Sequence, residues 1–340
     1  MKRIQGDDIP FFSGHSRCAY PQDNQAFVHD IQAEYSEGEV ICRILRKGDH
    51  MRLRRTNTYV KAFDEDNVRK IIAGPTDCVL FDLEDGVPPT QKAEGRRLTA
   101  KLVKELDFRG KERVVRINAV DTEYYPLDME EVVAVAVPDA VRVPKCDTPE
   151  DVLKVDADLA AIEDRLGLDR NTIKIWAMVE SPIGVMNTYK LGTSCERCEV
   201  LTIGMQDLYL SMGIPRKYLN NDLDLLYARQ KFVLEGRAAG VQVLDTGLLN
   251  SDVEINEDYT IRSKRMGFDG RMVLTVEEAE FANKTYYPTP EQFAWAHEIV
   301  DTYDDNEKNG ITETYVQGKL ICAAVYKEAK ELLEVEKQNH

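Results

Sequence analysis

Short apolar runs alternate with longer polar and amphipathic segments along the chain from about residue 55 onward. The runs are rich in Val, Ile and Leu, and each segment between them is long enough for a helix and two turns. Strands of a parallel sheet are buried on both faces, so they appear in a sequence as continuous apolar runs of this kind. The pattern predicts eight strands, centred on residues 58–60, 78–81, 114–117, 140–143, 173–179, 200–203, 241–244 and 272–274.

The spacing of the eight predicted strands favours a closed (β/α)8 barrel of the α/β class. Successive strands lie roughly 20 to 40 residues apart, and eight such units in about 220 residues is the usual size of a TIM barrel. An open, doubly wound sheet usually has a glycine-rich phosphate turn after its first strand. Here that strand is followed by Lys61-Ala62-Phe63-Asp64, which contains no glycine. We therefore predict a TIM barrel.

The pattern divides the chain into three parts. Residues 1–50 are polar and have no regular period, so we interpret them as an N-terminal extension. Residues 51–282 carry the predicted barrel as a catalytic domain. Residues 283–340 show helical periodicity over much of their length, and we expect them to form a C-terminal helical cap or lid.

Three signals support the predicted cap. Thr289 followed by Pro290 is a typical helix start, with the threonine at the N-cap and the proline at the first helical position. Residues 312–320, which include Gly318, have the composition of a hairpin, and residues 323–337 repeat apolar side chains at helical spacing.

The acidic balance of the chain excludes one class of function. The 340 residues include 60 Asp and Glu against 44 Lys and Arg, which gives a formal net charge of −16. Nucleic-acid binding requires a surplus of Lys and Arg to neutralise phosphates. Nucleic acid is therefore not an expected partner.

Targeting and cysteine patterns favour a cytosolic protein. No apolar run approaches the roughly 20 residues of a bilayer span, and the first 30 residues contain no apolar segment of secretory type. The seven cysteines form an odd and scattered set, which fits free thiols in a reducing compartment better than a disulfide framework. We expect no membrane partner.

Charged side chains follow the predicted strands at one end. The active site of a TIM barrel lies where its strands end, because the loops from strand to helix all meet at that face. Side chains in this position should therefore share one polar mouth. They are Asp82, Glu84 and Asp85 after strand two, Arg116 at strand three, Lys145 after strand four, Glu180 after strand five, Asp207 after strand six and Asp245 at strand seven.

Glu180 and Asp207 are candidate metal ligands. They end neighbouring strands, and Mg²⁺ commonly takes one or two protein carboxylates and completes its octahedron with water and substrate oxygens. The alternative is that each carboxylate caps the helix that follows it. Arg116 is open to two interpretations as well: an internal salt bridge with the acids after strand two, or a clamp on a substrate carboxylate.

Several common catalytic groups are absent from the predicted barrel. All five histidines lie outside it, which excludes a histidine general base on its loops. The chain has no Gly-x-Ser-x-Gly elbow, no His-Glu-x-x-His motif and no phosphate-binding P-loop. The five histidines are His15, His29, His50, His297 and His340.

Over residues 53–335 the chain resembles the citrate lyase beta-subunit-like family, which includes malyl-CoA and citramalyl-CoA lyases. The order and spacing of several short motifs carry the resemblance. They are Arg54-Arg55-Thr56, FDLEDGV at 81–87, VRIN at 115–118, VPK at 143–145, VESPIGVMN at 179–187, GMQDLYLSMG at 204–213, RAAGVQVLD at 237–245 and GFDGR at 267–271.

The resemblance implies a homo-oligomeric barrel, often a trimer, that binds Mg²⁺ and cleaves or forms a carbon–carbon bond between an acyl-CoA enolate and a 2-oxo acid. It implies that the metal ligands are Glu180 and Asp207. Its substrate-binding arginines correspond to Arg55 and Arg116. The remaining catalytic residues, Asp82 and Glu84, would hold the arginines and the metal-bound waters in place.

Two positions depart from the family pattern. Thr275-Val276 stands where family members usually have His-Pro after the last strand, and Cys322 stands where the cap of the lyases has an aspartate that serves as acid and base. We predict a Mg²⁺-dependent carbon–carbon lyase or aldolase for a 3-hydroxy acid, as a free acid or as a citryl-, malyl- or citramalyl-CoA-like thioester. The alternatives are a CoA-independent aldolase of 2-oxo acids and a non-catalytic ligand-binding paralogue.

Overall fold

The computed structural model describes residues 52–214, 222–248 and 252–337. Eight parallel strands in this part of the chain form a closed barrel in sequence order, with β8 paired to β1. The predicted TIM barrel is confirmed, and the observed strand ends differ from the predicted ones by two residues or fewer. The strands are β1 Thr56–Val60, β2 Cys78–Asp82, β3 Glu112–Arg116, β4 Ala140–Val143, β5 Lys174–Val179, β6 Cys198–Ile203, β7 Gln242–Asp245 and β8 Gly270–Val273.

Helices surround the barrel, and their ends follow local sequence signals. Thr148 and Asp151 form a capping box at the start of the helix Pro149–Leu166, which is followed by Gly167 with a left-handed φ of 69°. The helices are α1 Glu65–Ala73, α2 Lys92–Glu105, α3 Tyr125–Asp128 with a π-helical turn Met129–Val133, α4 Ala134–Ala136, α5 Pro149–Leu166, α6 Pro182–Met186, α7 Thr188–Gly192, α8 Met205–Ser211, α9 Leu226–Ala238, α10 Val253–Met266 and α11 Val276–Tyr286. Short 3₁₀ turns occupy Pro89–Gln91 and Asp222–Leu225.

Side chains alternate between the barrel interior and the helix layer, as the period of two in a strand requires. The outward side chains join the helices in a large apolar core. A second, smaller buried cluster fills the interior, and it consists of Cys78, Leu80, Val114, Ala140, Trp176, Val200 and Leu244. The interior is therefore packed apolar material in its lower and middle parts, and the polar groups described below lie above and within it.

Arg54 closes the barrel at the amino-terminal end of the strands. Its guanidinium donates to Glu112 on β3 at 2.7 and 2.9 Å and to Gln242 on β7 at 2.6 Å, so it spans the interior between opposite strands. It also lies 5.6 Å from the ring centroid of Trp176. Burial opposes the charge, but the hydrogen bonds and the charge of Glu112 raise the pKa of Arg54 above its ordinary value.

The C-terminal segment packs around a hydrophobic cluster of its own. Helix α12 (Pro290–Lys308) begins with the predicted threonine cap, which forms a capping box with Gln292. Strands β9 (Thr314–Val316) and β10 (Lys319–Ile321) form the predicted hairpin, and helix α13 (Ala323–Lys337) follows. The two turn residues, Gln317 and Gly318, both have positive φ, as a two-residue type I′ turn requires. The buried members of the cluster are Ala296, Ile299, Val316, Ile321 and Ala329.

The division into an extension, a barrel and a cap stays a prediction. The predicted extension, residues 1–50, lies outside the described residues, and the predicted boundary between 282 and 283 falls inside helix α11. Within the described ranges, no helix is both long and apolar enough to cross a membrane. A cytosolic location likewise stays a prediction.

Candidate active site

Arg116 lies at the carboxyl end of β3, between two acids from the loop after β2. Its Nε and Nη2 donate to the two carboxylate oxygens of Asp82 at 2.6 and 2.8 Å, and Nη1 lies 3.0 Å from Glu84 Oε2. We refer to Asp82, Glu84 and Arg116 as the arginine cluster. Burial opposes all three charges, but the mutual contacts keep the pKa of both carboxyls below their ordinary values and raise that of Arg116. The internal salt bridge anticipated for Arg116 is therefore present.

Further donors fix the arginine cluster in one geometry. Asp82 accepts hydrogen bonds from the Tyr59 hydroxyl at 2.7 Å and from the backbone N–H groups of Glu84 and Gly86. Only glycine fits at position 86, because a Cβ there would lie 1.8 Å from the Tyr59 hydroxyl and 2.2 Å from Asp82 Oδ2. The cluster thus holds a rigid guanidinium plane, 13% exposed, at the mouth of the barrel.

Glu180 follows β5 and is 4% exposed. Its Oε2 accepts a hydrogen bond from the backbone N–H of Lys145 at 3.1 Å, whereas its buried Oε1 has no hydrogen-bond partner among the described residues. Burial raises the pKa of Glu180 to about 7, and the charge of Asp207 adds to this. The next helix is capped by Ser181, so the helix-cap interpretation of Glu180 is wrong.

Asp207 lies beside Glu180, in the first turn of α8. It is partly exposed, and it makes no hydrogen bond or ion pair with the part of the chain that the structure describes. Its carboxylate and that of Glu180 repel each other electrostatically. Gly204, at the start of α8, leaves space for this arrangement, since a Cβ at that position would lie 2.6 Å from Glu180 Oε1.

Glu180 and Asp207, which we call the carboxylate pair, fit a hard divalent cation. One buried oxygen of Glu180 and the carboxylate of Asp207 have no partner among the described residues. A divalent cation bound between them would be that partner. Across the described ranges there is no cluster of three or more His, Cys, Asp and Glu side chains that could hold a metal. The donor set is thus an open one of two carboxylates, which suits Mg²⁺ with water and ligand oxygens and does not suit a closed structural zinc site.

Lys145 links the carboxylate pair to the arginine cluster. It follows β4 with a left-handed φ of 55°, which is uncommon for a residue with a side chain. Its backbone N–H binds Glu180, and its Nζ lies 2.9 Å from Glu84 Oε1. This one residue therefore sets the distance between two of the predicted site carboxylates.

Arg142 is a site residue that sequence analysis missed. It lies on β4, is 2% exposed, and interacts electrostatically with Arg116, Glu180, Asp82 and Glu84. The signal was present in the sequence, because a charged residue between Val141 and Val143 interrupts an otherwise apolar strand. Only closure of the barrel, however, settles that it points inward.

Arg55 does not lie at this mouth, and the expectation that it does is wrong. It precedes β1, and its guanidinium donates to both carboxylate oxygens of Asp77 at 2.9 and 2.8 Å. Asp77 precedes β2 in turn. Both residues therefore lie at the amino-terminal end of the strands, opposite Glu180. In a parallel barrel the residues that directly precede each strand lie at this far end, which serves stability and not catalysis.

Asp245 also lies away from the mouth. Although it ends β7, its side chain points outward, where it pairs with the buried Arg229 and accepts hydrogen bonds from Tyr259 at 3.0 Å and Ser263 at 2.6 Å. These contacts attach β7 to helices α9 and α10. Its role is structural.

The two positions that depart from the family pattern have local roles in helices. Thr275 is the N-cap of α11, where its side chain accepts a hydrogen bond from the backbone N–H of Glu278 at 3.1 Å. Cys322 is exposed and immediately precedes α13. The backbone N–H groups of Val325 and Ala324 lower the pKa of its thiol.

Comparison with known proteins identifies similar chains over most of this length. The sequence model of the HpcH/HpaI aldolase/citrate lyase family matches residues 55–275. The citrate lyase subunit beta of Haemophilus influenzae is 29% identical over 288 residues, which cover 84% of this chain and 97% of that protein. The mitochondrial citramalyl-CoA lyase of Mus musculus is 29% identical over 294 residues, which cover 82% and 85%.

Solved structures share the fold. The crystal structure of protein CitE from Mycobacterium tuberculosis in complex with magnesium, acetoacetate and coenzyme A has a TM-score of 0.66 at 22% identity. The likeness covers 84% of this chain and 98% of that chain. These matches agree with the resemblance that the sequence motifs indicated.

Proposed function

Because the chain belongs to the HpcH/HpaI aldolase/citrate lyase family, we propose that it is a Mg²⁺-dependent carbon–carbon lyase. Its reaction cleaves or forms a 3-hydroxy acyl-CoA thioester of the citryl-, malyl- or citramalyl-CoA type, with a 2-oxo acid as one product or reactant. The observation that carries the proposal is the buried Oε1 of Glu180 beside the carboxylate of Asp207, at the carboxyl end of the barrel, neither of them with a hydrogen-bond partner among the described residues.

The similar proteins support the choice of reaction. One is named a citrate lyase subunit and another a citramalyl-CoA lyase, and the structure of CitE contains magnesium, acetoacetate and coenzyme A. Both names are those of lyases, in whose reaction a carbon–carbon bond near a carbonyl group breaks or forms. The open carboxylate pair and the arginine cluster suit such a substrate, which is anionic and rich in carbonyl oxygens.

Each residue of the mouth has a role in this proposal. Glu180 and Asp207 would hold the metal, which when bound supplies Lewis-acid polarisation of a carbonyl group. Arg116 still has N–H donors beyond those used by Asp82 and Glu84, and they bind a substrate carboxylate. The two acids keep the guanidinium plane fixed, so that its orientation exists before the substrate arrives.

Assembly and location stay predictions: a homo-oligomer, as a trimer or a multiple of it, in the cytosol. A non-catalytic ligand-binding paralogue is the second candidate function. The observation that favours it is Cys322 at the position of the expected acid in the cap. An aldolase that acts on 2-oxo acids without CoA is the remaining alternative.

The test is release of a 2-oxo acid from citryl-, malyl- and citramalyl-CoA by the purified protein with Mg²⁺. In parallel, Glu180→Gln removes one charged metal ligand with little change in shape. We expect kcat/KM to fall on the order of 100-fold or more in this variant. Glu150→Gln, at an exposed position on α5, is the matched control and should leave activity unchanged.

The outcomes separate the candidates. Equal activity of Glu180→Gln and the unchanged protein would remove the carboxylate pair from the mechanism. Metal-dependent binding of a 2-oxo acid without turnover of any thioester would support the ligand-binding paralogue. Turnover of free 3-hydroxy acids that CoA neither inhibits nor accelerates would support the CoA-independent aldolase.

A further inference from the structure

Arg142 projects into the centre of the barrel directly below the mouth. On β4 it is in register with Arg116 of β3 and with Trp176 of β5, and Trp176 belongs to the interior cluster. Neighbouring residues in register point to the same side of a sheet, so Arg142 points inward as well. Its Nη1 lies 3.8 Å from the sulfur of Met272 on β8, which is the strand opposite β4 in an eight-stranded barrel. The side chain therefore crosses the interior and forms a floor under the mouth.

This guanidinium is buried and has no ion-pair partner within the described ranges. Its only hydrogen-bond contact there is the weak one to the Met272 thioether, and its buried Nε has no partner. Burial, together with the charge of Arg116, lowers the pKa of Arg142 to about 10, so the group stays charged at neutral pH. An unpaired buried charge is costly, and the cost falls when an anion binds to it.

The other two cations of the mouth already have carboxylate partners. Arg116 and Lys145 contact the acids of the arginine cluster. A divalent cation at the carboxylate pair would match the two charges of Glu180 and Asp207. Of the three cationic side chains, Arg142 is the one without a carboxylate in ion-pair contact within the described ranges. A ligand carboxylate in contact with its guanidinium would supply that partner.

Further unsatisfied hydrogen-bonding groups point into the barrel. Trp176 Nε1, Asn57 Nδ2 and Thr202 Oγ1 are buried without hydrogen-bond partners among the described residues. Asn57 is in register with Met272, and Thr202 is in register with Leu244 of the interior cluster, so both point into the barrel. The indole and amide N–H groups are donors, and the hydroxyl can donate too. Asn57 Oδ1, an acceptor, is likewise without a partner in the described part of the chain. The unpaired guanidinium itself favours a carboxylate over an apolar group as its ligand.

We propose that Arg142 is a specificity-determining residue that binds a second carboxylate of the 2-oxo acid, so that the substrate class is the dicarboxylic 2-oxo acids. This inference rests on the proposed function, because it takes the carboxylate pair as the place where the 2-oxo end of the ligand is held. The thioester that the chain cleaves then carries one more carboxylate than a thioester that releases a monocarboxylic 2-oxo acid.

The test compares ligands that differ only at the distal end. Isothermal calorimetry with Mg²⁺ measures oxaloacetate against 2-oxobutyrate, and 2-oxoglutarate against 2-oxovalerate, so that a carboxylate replaces a methyl group in each pair. We expect at least one dicarboxylate to bind on the order of 100-fold more tightly than its partner, because a buried bidentate contact with a guanidinium is worth about 2 to 3 kcal/mol. Arg142→Met should reduce this preference to less than threefold, because it weakens binding of the dicarboxylates far more than binding of the monocarboxylates.

Two variants accompany Arg142→Met. Arg142→Lys keeps the charge but loses the planar fork, and it should keep part of the preference. Arg113→Met removes an arginine from the outer face of the neighbouring strand β3, where it pairs with Asp139, and serves as the matched control. Thermal unfolding of Arg142→Met checks its fold, and replacing an unpaired buried charge by an apolar side chain should not lower the melting temperature.

Two results would overturn the assignment of Arg142: no preference for dicarboxylates in the unchanged protein, or a preference that survives Arg142→Met. The proposed function fails differently. A dicarboxylate preference that depends on Arg142 but not on Mg²⁺ or Glu180 would support Arg142 as an anion site and sink the metal-dependent lyase. Absence of binding by all four ligands, with and without Mg²⁺, would overturn both.

Discussion

Gly204 is the residue on which the geometry of the carboxylate pair depends most closely. Its φ of −106° is ordinary for any amino acid, so alanine could adopt the same backbone. The obstacle is space, since a Cβ would lie 2.6 Å from both Glu180 Oε1 and the terminal methyl of Met178. One of these groups must move when a methyl group is added.

We predict that Gly204→Ala weakens Mg²⁺ binding on the order of tenfold or more, because Glu180 is the neighbour with an unsatisfied oxygen to displace. The same overpacking should cost about 1 to 3 kcal/mol of stability. Calorimetric titration with Mg²⁺ and denaturant unfolding measure the two effects separately. An unchanged Mg²⁺ affinity with lowered stability would mean that Met178 moves instead and that Gly204 serves packing alone.

Arg55 and Arg142 show where sequence reasoning fails for single residues. Arg55 and Arg116 both adjoin a strand, but Arg55 precedes its strand and Arg116 ends one, so they lie about a barrel length apart. Arg142 lies within a strand, where successive side chains point alternately to the barrel interior and to the helices. The sequence of the strand alone does not show on which of the two faces Arg142 lies. The face depends on register with neighbouring strands, which pairs residues from distant parts of the sequence.

At the scale of elements, the loop after β2 carries two of the three members of the arginine cluster. Lys92, at the start of α2, fixes this loop from below. Its Nζ donates to the backbone carbonyls of Leu83 and Glu84 at 2.7 and 2.8 Å and to Asn118 Oδ1 at 2.7 Å. All three of its N–H donors are thereby used, and the lysine is 8% exposed. Lys92 is thus a positioning residue for Glu84.

We predict that Lys92→Met lowers the free energy of unfolding by about 2 kcal/mol, because it leaves buried carbonyl oxygens without donors. It should also lower kcat with little change in KM for the thioester, since it displaces Glu84 without touching the substrate. Lys101→Met, at an exposed position of the same helix, is the control. Loss of stability with unchanged kcat in Lys92→Met would mean that the loop keeps its place without the lysine.

Most elements followed from the sequence because each has a local cause. Each of the eight strands contains a short apolar run, since a strand covered on both faces by side chains and helices buries most of its residues. Helix α12 begins where the side chains of Thr289 and Gln292 accept hydrogen bonds from each other's backbone N–H groups and Pro290, at the first helical position, has no N–H to satisfy. The hairpin turns at Gln317 and Gly318. The outward direction of Asp245 had no such local sign, because its partners Arg229 and Ser263 come from two different helices.

At the scale of the whole molecule, the surplus of acidic residues opposes the approach of an anionic substrate. A net charge of −16 repels anions at long range, and this repulsion is screened beyond about 10 Å at 0.1 M salt. Inside the mouth Arg116, Arg142 and Lys145 offset part of the negative charge, and a divalent cation at the carboxylate pair would offset the charges of Glu180 and Asp207. Binding therefore depends on charges that act at short range and in a buried setting, where salt screens them little.

Arg54 has a consequence for the order of events in the reaction. Because it closes the barrel at the amino-terminal end, the mouth is the way in and out of the interior, and whatever rests on Arg142 lies beneath whatever binds later. In the cleavage direction the 2-oxo acid should then leave after the acyl-CoA product. We expect product inhibition that is competitive with the thioester for the 2-oxo acid and non-competitive for the acyl-CoA; the reverse assignment, or random release, would contradict this. Because one end is closed, the molecule that enters the barrel first is released last.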